Sequence, residues 1–217
     1  MKPPQNIDVK ICGLTRPEDV EAAIEHGAAF LGFIVEAKSP RKLTVLQAST
    51  LAAPARHIIP RVAVTVNPND DLVARMVSDM APDYIQLHGD ETVERAADIA
   101  RRFNVKIIKA APIAHASDMK TAEHYSGVCD FILYDAKPPK GEKVRGGHGL
   151  SFNWHILTAA PLPKVWALAG GLTPGNAREA IARTNAPILD VSSGVESAPG
   201  IKDAIKIKAF MEAAGHG

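Results

Sequence analysis

Two side chains in this sequence stand where acid–base chemistry is expected. Cys12 ends the apolar stretch VKIC, and Asp135 ends the apolar stretch CDFILYD. A thiolate can remove a proton and a carboxylic acid can donate one, so the two groups could serve a ligand held between them as general base and general acid. The two stretches therefore predict proton-transfer chemistry at the ends of two strands.

A lone cysteine is more often a small buried hydrophobe than a reactive group. The position of Cys12 favours reactivity, because the helix predicted to follow it would lower the pKa of the thiol through the positive potential of its N-terminus. Lys10 faces the same side of the strand by alternation, and it adds either a charge or a structural ion pair. Asp190, on the last predicted strand, is the carboxylate expected to pair with Lys10.

Two glycine-bearing segments near the end of the chain are candidates for phosphate binding. AGGLTPGN contains Gly170 and Gly171, and DVSSGVE contains Ser193 and Gly194. Glycines let backbone N–H groups approach a phosphate closely, although either segment alone could be an ordinary turn. Their occurrence after two consecutive strands favours a phosphate site.

Three further polar residues lie just after predicted strands. Arg41, in KSPRKLT, carries a guanidinium fork that suits a carboxylate, although a loop arginine is often only solvated. Gln86 and His88, in QLHGDE, could bind a ligand or form a local hydrogen bond. Together with Asp190, these residues are the candidate substrate-binding side chains.

Short apolar runs alternate with helix-like segments along the whole chain, which is typical of βα units around a parallel sheet. The predicted strands cover residues 7–12, 29–35, 61–66, 84–87, 105–110, 129–135, 164–170 and 186–193. The predicted helices cover residues 17–27, 44–53, 69–80, 91–103, 115–125, 151–160, 174–184 and 202–215.

Eight such pairs predict an α/β fold of the (β/α)₈ TIM-barrel type, with residues 1–217 forming a single domain. An open doubly wound sheet could use the same alternation, but no GxGxxG motif follows the first strand. In a barrel the active site forms at the carboxyl ends of the strands, which is where the candidate residues lie.

Composition excludes several function classes. The net charge of +1 gives no general attraction to nucleic acid or to an anionic membrane, and no apolar run reaches the length of a membrane span. No apolar segment of a secretory signal is recognised near Met1, so we expect a soluble cytoplasmic protein. Cys12 and Cys129 show no metal-ligand spacing, so we expect no metal, and Cys129 is interpreted as structural.

Asp135 is followed by AKPPKGEKVRGGHG, a long loop in an otherwise compact chain. Such loops often act as lids, and partial desolvation under a lid would raise the pKa of Asp135 and suit it to donate a proton. The alternative is an aspartate that only caps a turn.

The segments VKICGLT, GFIV with KSPR, YIQLHGDE, LYDAK, AGGLTP and DVSSGVESAPGIKD, taken together, resemble the phosphoribosylanthranilate isomerase family of tryptophan biosynthesis. The resemblance implies a (β/α)₈ barrel that catalyses an Amadori rearrangement without metal or organic cofactor. It implies that Cys12 is the general base and Asp135 the general acid, and that Arg41 holds the anthranilate carboxylate. The implied partner is a small-molecule phosphosugar, with monomer and homodimer both left open.

The chain departs from the family pattern at a few positions. In the loop after the sixth strand, His148 stands where we expect threonine or asparagine, and Asn153 stands where we expect aspartate. Gly175 replaces a more usual acidic residue. Since Cys12, Asp135 and Arg41 are retained, we expect these departures to affect loop motion and substrate affinity rather than the reaction.

Three rival interpretations were weighed. A ribulose-phosphate epimerase should carry metal-ligating histidine and aspartate at strand ends, and the related isomerase of the histidine pathway should carry paired aspartates in place of Cys12 and Asp135. The sequence disfavours both. The third interpretation is a barrel that binds phosphate but does not catalyse a reaction. A turnover assay would distinguish such a barrel from an isomerase.

Overall fold

Eight parallel strands close into a ring in the structure, a computed structural model that describes residues 7–136, 154–158 and 162–216. The strands are β1 (Asp8–Cys12), β2 (Phe30–Val35), β3 (Arg61–Thr65), β4 (Tyr84–Leu87), β5 (Lys106–Ile113), β6 (Phe131–Ala136), β7 (Trp166–Ala169) and β8 (Ile188–Val191). Each strand pairs with the next along the chain, and β1 pairs with both β2 and β8. The predicted (β/α)₈ barrel is confirmed.

Helices follow the strands on the outside of the ring. They are α1 (Pro17–Glu25), α2 (Val45–Ala52), α3 (Asp70–Arg75), α4 (Val93–Phe103), α5 (Ala116–Glu123), α6 (Ala177–Thr184) and α7 (Ala204–Ala213). Side chains of Thr44, Asn69, Thr92 and Asp203 cap the starts of α2, α3, α4 and α7 by accepting backbone N–H groups. Across the described ranges, none of the helices is long and apolar enough to cross a membrane.

The structure differs from the sequence prediction mainly at element ends. The third predicted helix ends in a π-helical turn, Met76–Met80, where the Ala81 N–H bonds to the Met76 carbonyl at 3.1 Å. Of the predicted helix 151–160, the structure describes a short 3₁₀ helix, Trp154–Thr158. Residues 151–153 and 159–160 lie outside the described residues.

One short strand and one hairpin were not predicted. Lys42–Leu43 pairs with the end of β2, and Glu196–Ala198 forms an antiparallel hairpin with Ile201–Lys202 after β8. Both pieces follow the carboxyl ends of barrel strands. They bring Arg41 and Glu196 to the same side of the barrel, as the contacts below show.

The barrel is filled by two sets of buried side chains. One set packs between the strands and the helices, and a smaller set, which includes Cys12, lines the interior. At the amino ends of the strands, the rings of Phe30, Tyr84 and Phe131 pack against one another with centroids 5.8 to 5.9 Å apart. This aromatic cluster fills the lower end of the barrel, so the polar groups at the opposite end are the candidate site.

Candidate active site

Cys12 lies at the carboxyl end of β1 with only 6% of its surface exposed. Lys10, two residues earlier on the same face, is fully buried and donates a hydrogen bond to Asp190 Oδ1 at 2.8 Å. The two residues are register partners across the β1–β8 ladder. The ion pair predicted from strand alternation is therefore present, and the role of Asp190 as a substrate ligand stays a prediction.

The thiol of Cys12 has an environment different from the one expected. Burial raises its pKa, and the charge and hydrogen bond of Lys10 oppose that rise. The N-terminus of α1 begins only at Pro17, and a helix dipole weakens beyond its first turn. Positive side chains that act on Cys12 include Lys10, Lys202 and Arg41.

Gly32 makes room for this arrangement. It is the register partner of Cys12 on β2. A Cβ atom at Gly32 would lie 3.0 Å from both the Sγ of Cys12 and the Nζ of Lys10, which is closer than side-chain contacts normally allow. A side chain at this position would push the thiol and the ammonium out of place.

Asp135 lies across the barrel mouth from Cys12, because β7 and β8 separate β6 from β1 around the ring. Its side chain is 16% exposed, and one carboxylate oxygen lies 3.6 Å from the Nε2 of His88. The loop that follows Asp135, including His148 and Asn153, lies outside the described residues.

His88 and Gln86 form one polar unit beside Asp135. The side-chain amide of Gln86 lies 3.1 Å from the Nδ1 of His88, and Gln86 is fully buried. The other ring nitrogen of His88, Nε2, faces Asp135. The structure thus brings both predicted residues of QLHGDE to the candidate acid, and their contact with substrate stays a prediction.

Arg41, the predicted ligand of a substrate carboxylate, contacts a carboxylate of the protein itself. Its Nε and Nη2 atoms donate to the two oxygens of Glu196 at 2.6 and 2.5 Å. Lys202 Nζ also donates to Glu196, at 2.8 Å. Although burial alone would raise the pKa of Glu196, the hydrogen bonds from Arg41 and Lys202 hold it below the ordinary value.

This fork leaves one edge of the guanidinium for another anion. Glu196 uses the edge of Arg41 formed by Nε and Nη2, and the pair does not use Nη1. A guanidinium can bind a second carboxylate along its other edge. Glu196 and Lys202 were not identified from the sequence, because a pairing across 155 positions leaves no local signal.

The two glycine segments after β7 and β8 contact each other. Gly170 and Gly171 have positive φ angles of 95° and 64°. A Cβ atom at Gly194 would lie 2.9 Å from the carbonyl carbon of Leu172 and would overlap its oxygen. Because this close approach requires glycine, the segments meet backbone against backbone, with Ser193 beginning a short 3₁₀ helix.

A second buried ion pair supports the loop that carries His88. Glu91, in the segment after β4, accepts hydrogen bonds from Lys109 Nζ and from the backbone N–H of Asn67, both at 2.7 Å. The N–H of Gly89 also donates to Glu91. Lys109 lies inside the apolar strand VKIIKA, and a lysine in such a strand indicates a buried carboxylate partner. The sequence analysis did not identify this pair.

The part of the chain that the structure describes contains no candidate metal-binding site. Within residues 7–136, 154–158 and 162–216, no group of three or more histidine, cysteine, aspartate or glutamate side chains is arranged to hold an ion. The described site consists of single acidic and basic groups, most of them in ion pairs.

Comparisons with known proteins agree with this arrangement. A family model described as N-(5'phosphoribosyl)anthranilate (PRA) isomerase matches residues 9–213. The chain is 44% identical over 207 residues to the N-(5'-phosphoribosyl)anthranilate isomerase of Brucella canis. The aligned region covers 95% of this chain and 93% of that protein.

Solved structures give the same result. The crystal structure of phosphoribosyl anthranilate isomerase from Thermotoga maritima has a TM-score of 0.84 and 34% identity, over 96% of this chain and 98% of that one. A crystal structure of such an isomerase in complex with reduced 1-(o-carboxyphenylamino)-1-deoxyribulose 5-phosphate has a TM-score of 0.80 and 32% identity, over 96% and 98%. The resemblance inferred from the sequence motifs is confirmed, and the chain belongs to the N-(5'-phosphoribosyl)anthranilate isomerase family.

Proposed function

We propose that this protein converts N-(5-phosphoribosyl)anthranilate to 1-(2-carboxyphenylamino)-1-deoxyribulose 5-phosphate in tryptophan biosynthesis. The reaction is an aldose–ketose isomerisation by general acid–base catalysis. The observation that carries the proposal is a thiol and a carboxyl on β1 and β6, at opposite sides of the barrel mouth, in a chain of this family.

Asp135 is the general acid. It gives a proton to the ribose ring oxygen, and the bond from that oxygen to C1 breaks as the anthranilate nitrogen supplies its electron pair to form a Schiff base. His88, 3.6 Å away, turns its Nε2 toward the same carboxyl. His88 can therefore hold Asp135 in the orientation that reaches the ring oxygen.

Cys12 is the general base. Its thiolate removes the proton from C2 of the Schiff base, and the electron pair of the broken C–H bond forms the enolamine, which tautomerises to the ketone. Substrate and product are isomers, so the reaction needs no oxidant or reductant. The two side chains can supply both proton transfers.

Arg41 binds the substrate carboxylate and the two glycine segments bind the phosphate. The Nη1 edge of Arg41 is the part of the guanidinium that the pair with Glu196 does not use. Gly170, Gly171 and Gly194 bring two backbone segments together after β7 and β8, the region where barrels commonly hold phosphate. The substrate would then extend across the mouth between its two charged ends.

The partner proposed for the protein is this small phosphosugar alone, acting in the cytoplasm. The two free cysteines, Cys12 and Cys129, support a reducing compartment. The phosphoribosylanthranilate isomerase from Thermotoga maritima is described as dimeric, and monomers generated from it have been crystallised. For this chain, monomer and homodimer both remain within the proposal.

A turnover assay tests the proposed function. Freshly prepared N-(5-phosphoribosyl)anthranilate should lose its fluorescence when the protein is added, at a rate proportional to protein concentration. A folded protein that binds phosphate and leaves the fluorescence unchanged would instead be a non-catalytic barrel.

A further inference from the structure

Lys10 is a fully buried charge inside the barrel. A buried ammonium is costly unless a partner and hydrogen bonds compensate for lost hydration, and an apolar residue of similar size is often at least as stabilising. Asp190 Oδ1, at 2.8 Å, supplies the compensating charge. Stability alone therefore gives a weak reason for a lysine at this position.

Lys10 lies beside the thiol as well as the carboxylate. A Cβ atom at Gly32 would lie 3.0 Å from both the Nζ of Lys10 and the Sγ of Cys12, so the two groups border the same small space. Strand alternation places Lys10 and Cys12 on one face of β1, and Gly32 opposite them leaves the space in which the two groups meet. Lys10 thus lies between the proposed base and a buried carboxylate.

Four charged groups from different elements act around Cys12. Lys10 comes from β1, Asp190 from β8, Lys202 from the hairpin after β8, and Arg41 from the loop after β2. Burial raises the pKa of Cys12, Lys10 gives the largest effect in the opposite direction, and Asp190 raises it further. Although burial would lower the pKa of Lys10, Asp190 and Cys12 raise it above the ordinary value, so the ammonium keeps its proton.

We propose that Lys10 is a positioning residue that stabilises Cys12 as the thiolate base, and that Asp190 holds Lys10 charged and in place. This inference rests on the proposed function, in which Cys12 removes the C2 proton. In this proposal, Asp190 acts through Lys10 by accepting its hydrogen bond. The thiolate then depends on a charge fixed inside the barrel and not on a helix terminus.

The test is a titration of Cys12 in the protein without substrate. Thiolate absorbance in the ultraviolet is followed against pH, and the spectrum of Cys12→Ser is subtracted. The subtraction also removes the signal of Cys129, whose pKa burial raises to about 12. The variants are Lys10→Met and the double variant Lys10→Met with Asp190→Asn, which does not leave a buried carboxylate unpaired.

We expect the midpoint of Cys12 ionisation to move upward by at least about one pH unit in Lys10→Met, a tenfold change in the ionisation constant. The shift should be smaller in the double variant, because Asp190 itself raises the pKa of Cys12. The acid limb of kcat/KM should move in the same direction, because activity requires the thiolate. Lys109→Met is the matched control, since it removes another buried, ion-paired lysine that does not contact Cys12. It should leave the Cys12 titration unchanged.

An unchanged Cys12 midpoint in folded Lys10→Met, or a midpoint in the folded double variant no higher than that of Asp190→Asn, would overturn the role of Lys10. The proposed function can fail separately: a folded Cys12→Ser variant with wild-type turnover would overturn the base assignment, and with it the catalytic meaning of Lys10. Because the titration needs no turnover, the two failures are distinguishable.

Discussion

The guanidinium of Arg41 is held by the protein before any substrate arrives. Glu196 receives two of its N–H groups, and Lys202 in turn donates to Glu196. A fixed guanidinium loses less side-chain entropy when it binds a ligand than a mobile one does. At the scale of single residues, we therefore propose that Glu196 orients Arg41 for the substrate carboxylate.

Replacing Arg41 should weaken substrate binding more than replacing the residue that orients it. Arg41→Ala removes a charge-assisted contact worth about 1.5–3 kcal/mol, so KM should rise by about 10- to 100-fold. Glu196→Gln keeps one acceptor and should raise KM less. Steady-state kinetics measure both, with Arg101→Ala, a 79% exposed arginine on α4, as the control.

The outcome that would contradict this assignment is a KM for Arg41→Ala equal to that of Arg101→Ala. Equal losses of kcat and kcat/KM with unchanged KM would also count against ground-state carboxylate binding.

The site residues differed in how far the sequence could identify them. Cys12 and Asp135 stand at the ends of recognisable strands and Arg41 lies in the loop after one, so position made them candidates and the family resemblance implied their roles. Glu196 could not be found in this way, because its partner is 155 positions away in the chain. The pKa of Cys12 was also misjudged, since depth of burial depends on the packed barrel and not on neighbours in the sequence.

At the scale of elements, the segments after β7 and β8 act as one surface. Gly194 approaches the Leu172 carbonyl so closely that a side chain at position 194 would overlap it. A methyl group there must push the two segments apart, by the overpacking that typically costs about 1–3 kcal/mol. The backbone groups proposed to bind phosphate would move with them.

We expect Gly194→Ala to weaken phosphate binding. The inhibition constant of inorganic phosphate should rise by at least about tenfold, the effect of about 1.4 kcal/mol. Gly175→Ala is the matched control in the neighbouring loop, since the nearest atom to its new methyl group would be Thr173 Oγ1 at 3.8 Å. Competitive inhibition assays measure both variants.

If both glycine variants bind phosphate like the wild type, the anion lies elsewhere. A crystal soaked in phosphate would then show it away from Gly170 and Gly194, for example at the lysines of the loop after β6.

Element type was easier to predict than element ends. The alternation of strands and helices follows from hydrophobic patterning, and it is present in the described parts of the chain. The π-helical turn at Met76–Met80 and the hairpin at Glu196–Ala198 escaped prediction, because helix ends and short strands depend on local hydrogen bonds that patterning does not encode.

At the scale of the whole molecule, buried ion pairs near the mouth contrast with the apolar lower end. Glu91 and Lys109 pair at 2.7 Å, with the glutamate side chain 1% exposed. Burial would raise the pKa of Glu91, but the hydrogen bonds from Lys109 and the Asn67 N–H hold it below the ordinary value. A lowered folded pKa means that this pair stabilises the fold above the unfolded pKa, and that the contribution is lost as pH falls through the folded value.

Glu91→Gln should therefore destabilise the barrel in a pH-dependent way. At pH 7 the free energy of unfolding should fall by about 3–5 kcal/mol, because a buried lysine loses its partner charge. The difference from wild type should shrink as pH falls below about 4.3, where the unfolded carboxyl begins to bind protons. Urea unfolding at a series of pH values measures this difference.

The surface pair of Glu179 and Arg183, on α6, provides the control. Both side chains are about half exposed, so Glu179→Gln should change the free energy of unfolding by no more than about 0.5 kcal/mol. A Glu91→Gln variant no less stable than this control would contradict the structural role of the buried pair.

Some predictions for the molecule as a whole are not tested by the structure. They are a single domain over residues 1–217, a monomer or homodimer, a cytoplasmic location, and the absence of nucleic-acid partners. Closure of the barrel, in contrast, is observed in the pairing of β1 with β8. Assembly could not be predicted because outer helices that face solvent or a partner carry similar patterns.

The central claim is that Cys12 and Asp135 are the base and acid of one isomerisation, and the turnover number of Cys12→Ser and Asp135→Asn tests it most directly. Each variant keeps the size of the side chain and removes its proton transfer, so each should lose at least about 10²- to 10⁴-fold in kcat. Folding and inhibition by phosphate should be nearly preserved. A folded Cys12→Ser variant with near wild-type kcat would contradict the account and return the thiol to a structural role.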